Sequence, residues 1–276
     1  MSEELIKEDS DRIFLGQLPI MLRSQYCTLN SHYKKGDALV DLGECAYDQG
    51  GYFIINGKEK VIVAQERLRN NNVYIFFRKG IFVAEVRSQL EKTNNMLSSF
   101  FIKLEILKKG NSSGIPVIRA TIPLINQDIP IIILFRALGD VSDKVILERI
   151  CYNLEDSEIT ELLKGSLEEA EFITNQELAL DYIGRRGKAI GNPKSERIIY
   201  AKNILQNELL SHIGVNDWCE TQKAYYIGYI INRLLKTYIG RSKPDDRDHY
   251  SNKRIDLSGA LMAGLFQKLF HRFYTN

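Results

Sequence analysis

Apolar positions in the first half of the chain fall in short, β-branched stretches, and in the second half they recur every three or four residues. These two periods predict strands followed by helices. Tyr52 to Ile55 and Val61 to Ala64 flank Asn56-Gly57, a pair that readily takes the positive φ angles of a tight turn, so a β-hairpin is predicted there. Val73 to Arg78 and Ile81 to Val86 form a second pair of strands around turn residues. Phe100 to Leu107 and Pro116 to Pro123 form a third, joined by the polar turn Lys108 to Gly114. Ile131 to Phe135 is apolar without interruption, as expected of a strand buried on both faces.

Helices are predicted beyond that run. Ser142 is placed to cap one that runs through Ile150, Asp156 or Ser157 another that ends near Gly165, and Asn175 a third that reaches Ile183. A fourth from Ser195 carries Ile198, Ile199, Ala201, Ile204, Leu205 and Leu209 as one stripe. Thr221 to Ile239 is the longest periodic segment and stops at Gly240. Leu257 to Phe273 closes the series, with Leu261, Leu265, Leu269 and Phe273 spaced four apart. The fold class is therefore α+β: a strand-rich first half with mixed or antiparallel sheets and hairpins, then a helical second half.

At 276 residues, 44% of them hydrophobic, the chain can build an ordinary globular core in one large or two modest domains. The formal net charge is only +2, so any nucleic-acid binding must come from local patches. Cys27, Cys45, Cys151 and Cys219 lie far apart with no Cys-x-x-Cys pair, which argues against zinc and against a disulfide framework. They fit a reducing compartment as core thiols. No apolar run approaches the ~20 residues of a membrane span. The acidic N-terminus lacks the regions of a secretory signal, so a soluble, intracellular chain with no membrane partner is expected.

Two basic clusters stand out. Arg185, Arg186, Lys188 and Lys194 gather around Gly184, Gly187 and Gly191, with Arg197 just beyond. Glycines let backbone approach a phosphate and guanidinium groups grip it bidentately, so a DNA-backbone or protein-docking role is physically reasonable. The alternative is a helix-terminating turn whose basic residues face solvent or pair with carboxylates. Asp245-Asp-Arg-Asp-His249 is crowded like a metal site, but adjacent residues point in different directions and no second motif partners them, so no metal is predicted. Glu168-Glu169 and Glu208 with His212 read as a solvated helix face; His32, His212 and His271 are scattered singles. No motif of a self-contained catalytic site is present, and no catalytic residue is predicted.

Seven blocks carry a likeness to known proteins: Gly16 to Ser24 with Cys27, Gly50 to Val61 leading into Ala64-Gln-Glu-Arg67, Gln127 to Gly139, Ile150-Cys-Tyr152, Asp181 to Gly187, Ile231 to Leu235, and Asp245 to Leu257. In content and order they resemble the second-largest subunit of the multisubunit DNA-directed RNA polymerases. Within that family, Phe135 to Gly139, Ile150 to Tyr152 and Ile183 to Gly187 are most similar to RNA polymerase II, the eukaryotic enzyme that makes messenger RNA. Ala46 stands where a proline is usual, and Ser258, Ala260 and Met262 vary a usual pattern.

The likeness covers roughly Ile13 to Phe270. It implies a lobe-and-protrusion architecture, with residues 1–66 part of the protrusion, 67–244 the lobe and 245–276 the return into the protrusion. Because the family's subunit is several times longer, the chain is expected to be a fragment of it, working in the nucleus and catalytically inactive alone. The parent enzyme's nucleotidyl transfer uses Mg2+ bound outside this chain, and no cofactor is expected within it. Implied partners are DNA, the largest subunit and other polymerase subunits, and a general initiation factor on the lobe surface.

By the same likeness, Asp245 to Arg254 lines the cleft near the downstream non-template strand. Asp248 would accept hydrogen bonds from a base edge, and Arg247, Lys253 and Arg254 would meet phosphates; Arg185, Arg186 and Lys188 join this nucleic-acid-binding set. A compatible alternative is an internal salt-bridge network that positions the connection between lobe and protrusion. In the family the last helix packs on strands supplied partly from upstream, so some of Leu257, Leu261, Met262, Leu265, Phe266, Leu269, Phe270 and Phe273 should be exposed. The rival reading is a free-standing, lobe-derived interaction protein with no polymerase activity.

Overall fold

A short helix, α1 (Thr28–Lys34), precedes a hairpin of β1 (Phe53–Ile55) and β2 (Lys58–Lys60). The computed structural model describes residues 14–34, 40–90, 97–106, 114–188, 191–216 and 218–275. Among these, one compact unit takes residues up to Gln65 together with Ile255–Leu265, and a larger one takes Glu66–Arg254 and the residues from Phe266 on. Asn56 and Gly57 turn the hairpin at φ of 52° and 73°, and Ile55 faces Lys58 across it. The expected second strand, Val61 to Ala64, is displaced to Lys58–Lys60 because a two-residue turn starts the return strand immediately after Gly57. Upstream, Leu22 N–H donates to the Tyr52 carbonyl at 2.9 Å and the Leu22 carbonyl accepts from Gly51 N–H at 3.1 Å. Tyr52 Oη donates to Asp48 at 2.6 Å. That bond holds the Asp48 carboxyl below the usual range and pushes the Tyr52 phenol up to about 12.

The larger unit is built on a sheet. After β3 (Gln65–Leu68) come β4 (Val73–Arg78), β5 (Ile81–Ser88), β6 (Ser98–Ile106), β7 (Pro116–Thr121) and β8 (Ile129–Pro130). The last five of these pair in chain order, each antiparallel to the next. On β6, Ser98, Phe100, Ile102 and Leu104 are buried and alternate with half-buried residues, as a strand with one core face requires. Tyr74, Phe76 and Val83 form a small separate cluster with Ile81 and Phe101. Residues 107–113, most of the predicted polar turn, lie outside the described residues.

Ile131 to Phe135 is not a strand. It belongs to α2 (Ile131–Ala137), a helix whose seven residues are all buried. A helix apolar all round is stable only inside a core, and there it satisfies its own backbone hydrogen bonds. Periodicity cannot separate such a run from a buried strand, so the isoleucine-rich composition misleads. Arg136, 5% exposed, is its one charged residue. It donates to the carbonyls of Ala170 (2.6 Å) and Ile173 and to Asp143 (2.6 Å).

The helices α3 (Asp143–Cys151), α4 (Ser157–Glu169), α5 (Gln176–Gly184), α6 (Lys194–Asn207) and α7 (Glu220–Ile239) share one apolar core with α2, and α4 and α5 pack on it directly. Ser142, Asp156 and Asn175 hold the predicted N-cap positions, while α4 runs a turn past Gly165. Ile199 leaves the expected stripe of α6, being 58% exposed. Lys223 of α7 is buried and donates to the carbonyls of Leu205 (2.9 Å) and Gln206 (2.6 Å), closing the end of α6. A 3₁₀ turn (Tyr250–Asn252), β9 (Lys253–Asp256), which pairs with β3, and α8 (Ser258–Thr275) complete the described elements. Ser258 is the one buried residue of α8. Leu257, before it, and Leu265, Phe266, Leu269, Phe270 and Phe273 on it are exposed; Leu261 and Met262 are half-buried.

Three sequence expectations are corrected here. Cys151 alone of the thiols is a core residue; Cys27 and Cys219 are half-buried and Cys45 is exposed. Glu169 is not solvated but pairs with Arg119 at 2.5 Å. His212 is not on a solvated face but half-buried and bonded to the buried Ser88, Nδ1 to Oγ at 2.8 Å. Burial, assisted by the Lys223 charge, pushes the His212 imidazole below its ordinary 6.5. The unfolded chain therefore binds the extra proton first, so folding stability is full above pH 6.5 and falls as pH drops through and below that value. Urea midpoints measured between pH 7.5 and 5 should show this loss, and His212→Gln should flatten it; an unchanged profile in the variant would exclude His212 as the source.

Candidate nucleic-acid interface

The first basic cluster is the turn that ends α5. Asp181, on the buried side of α5, accepts Arg185 and Arg197 at 2.7 Å each, one on either oxygen. Burial acts to raise its pKa, but the two guanidinium groups outweigh it and hold the carboxyl below the usual range. Arg186 lies with its guanidinium carbon 3.3 Å from the centre of the Tyr182 ring and donates to the Tyr182 carbonyl at 3.1 Å. Lys194 pairs with Glu177 at 2.8 Å. Lys188 is exposed, and its N–H donates to Tyr200 Oη at 3.2 Å.

The glycines of this turn serve packing rather than an approaching phosphate. A Cβ on Gly184 would stand 2.6 Å from the Arg197 carbonyl oxygen, and one on Gly187 would stand 2.5 Å from the Tyr200 ring. They let α5 and its turn lie directly on α6. Gly191 has open space around it. The cluster is thus a helix-terminating turn with most of its cations paired, and it carries a cationic excess because one carboxylate answers both Arg185 and Arg197.

The second cluster follows α7. Asp245 accepts both the backbone N–H of Ile75 (2.8 Å) and the Arg233 guanidinium (3.0 Å to each oxygen). Its own N–H donates to the Ile75 carbonyl at 2.7 Å, so the segment is laced to β4. Arg247 stacks on Phe76, 3.9 Å from the ring centre, and reaches Glu85 at 3.4 Å. Lys253 pairs with Glu66 at 2.9 Å and stands 4.0 Å from Asp248. Arg254 is exposed and donates to the carbonyls of Ser251 (3.1 Å) and Lys253 (2.7 Å). Asp246 receives Asp248 N–H at 2.9 Å, and the Asp248 side chain itself is fully exposed. The expected internal network is therefore present, with Asp248 and Arg254 on its outer side. Among the described residues no three His, Cys, Asp or Glu side chains gather as metal ligands would.

Sequence reasoning missed the residues that anchor this segment. Arg233 sits in the Ile231 to Leu235 block, one position from the buried stripe of α7, and Glu85 is a carboxylate only 4% exposed within β5. A lone glutamate amid the apolar run of β5 was the available signal for the second.

Residues 57–256 match the family model described as RNA polymerase Rpb2, domain 2. The chain is 54% identical to DNA-directed RNA polymerase II subunit 2 of Arabidopsis thaliana over 96% of its own length and 23% of the relative's. It is 51% identical to the RNA polymerase II subunit RPB2 of Encephalitozoon cuniculi over the same shares. Identity falls to 37% with the RNA polymerase subunit Rpo2 of the archaeon Saccharolobus solfataricus, over 98% of the chain and 23% of that relative. The chain thus spans about a quarter of the length of the relatives it matches, and it belongs to the Rpb2 family of DNA-directed RNA polymerase second-largest subunits, on the RNA polymerase II side of that family.

Proposed function

We propose that this chain is a section of the second-largest subunit of a nuclear RNA polymerase II, forming one side of the cleft that guides DNA during transcription. The observation that carries this reading is the 54% identity across 96% of the chain to a relative of which it spans only 23%. Residues 67–244 would be the lobe, and residues 1–66 and 245–276 parts of the protrusion. Nucleotidyl transfer and its Mg2+ would then belong to the rest of the assembly. This section would contribute DNA contacts and surfaces for the largest subunit, other subunits and an initiation factor. The exposed apolar side of α8 fits a helix that the remainder of the subunit covers.

The DNA contacts fall to Lys188, Arg247, Asp248, Lys253 and Arg254. Asp248 is free to accept from a base edge, and Arg254 and Lys188 project toward solvent where a phosphate could reach them. Arg247 and Lys253 set the segment's shape through Glu85 and Glu66 and add positive charge beside it. Arg185 and Arg186 take the protein-docking role also expected of their turn.

A single cleft wall supplies phosphate contacts without the opposing surface, so the isolated chain should bind duplex DNA carrying an unpaired bubble weakly and with strong salt dependence. Each lost phosphate contact lowers the slope of log affinity against log salt by about 1. Arg254→Gln with Lys188→Gln should therefore reduce it by about 2. An unchanged slope, or tight sequence-specific binding, would contradict the assignment.

A further inference from the structure

Beside the α5 turn lies a groove lined by Phe172, Ile173, Leu178, Tyr182, Arg185 and Arg186, with Asp181 at its base. Phe172 is 89% exposed and Leu178 43%. Phe172 projects from a backbone turn that is held in place. Its turn is fastened from beneath by buried Arg136, which takes the carbonyls of Ala170 and Ile173 on either side of it. Ile173 N–H closes the same turn on the Ala170 carbonyl at 3.1 Å. The backbone beneath the apolar surface is thus preorganised, and a partner that covers it has only side chains to order.

The groove's charge identifies the partner. Asp181 spends both oxygens on Arg185 and Arg197. Arg186 rests on the Tyr182 ring and forms no ion pair among the described residues; Asp128 and Glu169, which line a neighbouring pocket with it, are engaged by Lys103 and Arg119. Within the groove one carboxylate, itself shared with Arg197 behind it, therefore faces the two guanidinium groups of Arg185 and Arg186. Glu177 is engaged by Lys194, and Glu171, next to Phe172 in the chain, does not line the groove.

We propose that this groove docks a short acidic peptide segment bearing an apolar anchor, whose side chain seats between Phe172, Ile173 and Leu178 while flanking carboxylates meet Arg185 and Arg186. A nucleic acid would use the arginines and stack a base on Phe172, but it would leave Ile173 and Leu178 uncovered, which an aliphatic or aromatic peptide anchor fills. The assignment goes beyond the polymerase reading, because it depends only on the groove's own residues and holds equally for a free-standing protein.

The probe is a fluorescein-labelled synthetic peptide in which Glu and Asp surround a Leu-x-x-Phe pair, titrated with the chain and followed by anisotropy. Saturable binding is expected. It should weaken on the order of tenfold with Phe172→Ser, with Arg186→Glu, with Gln and Asn replacing the peptide's acids, and with Ala replacing its Leu and Phe. Phe172→Ser alters an exposed side chain, so its circular dichroism should match that of the parent. The proposal is overturned if the peptide does not bind saturably, if the Ala-substituted peptide binds as well, or if Phe172→Ser leaves the affinity unchanged. It is equally overturned if an oligonucleotide of matched charge displaces the peptide at lower concentration and ignores Phe172→Ser.

Discussion

Replacing Arg136 with Met should cost the larger unit about 3 kcal/mol, the upper end of the range for leaving buried acceptors without their donor. The side chain is buried and donates to two backbone carbonyls, of which Ala170 keeps the Ile173 N–H as a second donor, as well as to Asp143. Methionine fills much of the volume, so the loss measures unpaired polar groups rather than a cavity. Arg136→Lys keeps the charge but not the planar fork whose one nitrogen serves both carbonyls while the other reaches Asp143, and about half the loss should remain. Urea unfolding of the three proteins at pH 7 checks this; a Met variant within about 1 kcal/mol of the parent would contradict it. The same variant should release the turn that presents Phe172, linking a buried arginine to a surface groove.

Gly228→Val should be about as damaging. Gly228 is buried where α7 crosses α3, and a Cβ there would stand 2.5 Å from the Arg149 carbonyl oxygen. Nothing flexible can move aside, because the obstacle is backbone, and Asn232 one turn on ties the same helices through the Ile150 carbonyl at 2.8 Å. Alanine would gain about 1 kcal/mol of helix propensity and lose more to the clash. Valine adds two methyl groups to the same contact and should cost about 3 kcal/mol. Since α7 also carries Arg233, which chelates Asp245, the displacement should weaken DNA binding even where the variant is folded. A valine variant as stable as the parent would mean that α3 and α7 adjust freely there.

Much of this was legible in the sequence, for reasons that differ by element. Asn56-Gly57 and the N-cap positions Ser142, Asp156 and Asn175 announce themselves because local backbone geometry selects those residue types. The strand Val73–Arg78 matched to the residue, its end fixed by the Lys79-Gly80 turn. The α2 run misled because burial on every side erases periodicity. The glycines of the α5 turn stay open in the sequence between an approaching ligand and a helix-terminating turn, because spacing cannot show that α6 lies against them. For the same reason most charged residues of both clusters were visible without their partners: Arg197 reaches Asp181, Arg247 reaches Glu85 and Asp245 reaches Arg233 only through tertiary packing.

The central claim is that this chain works as part of a polymerase subunit, and the most direct test is to size it in the source cell. Nuclear extract is fractionated by gel filtration and blotted with an antibody raised against the chain. The account predicts an immunoreactive band several times heavier than a 276-residue polypeptide, eluting with a very large assembly that has RNA polymerase activity. A band at the mass of the chain alone, eluting apart from that activity, would contradict it and leave a separate binding protein.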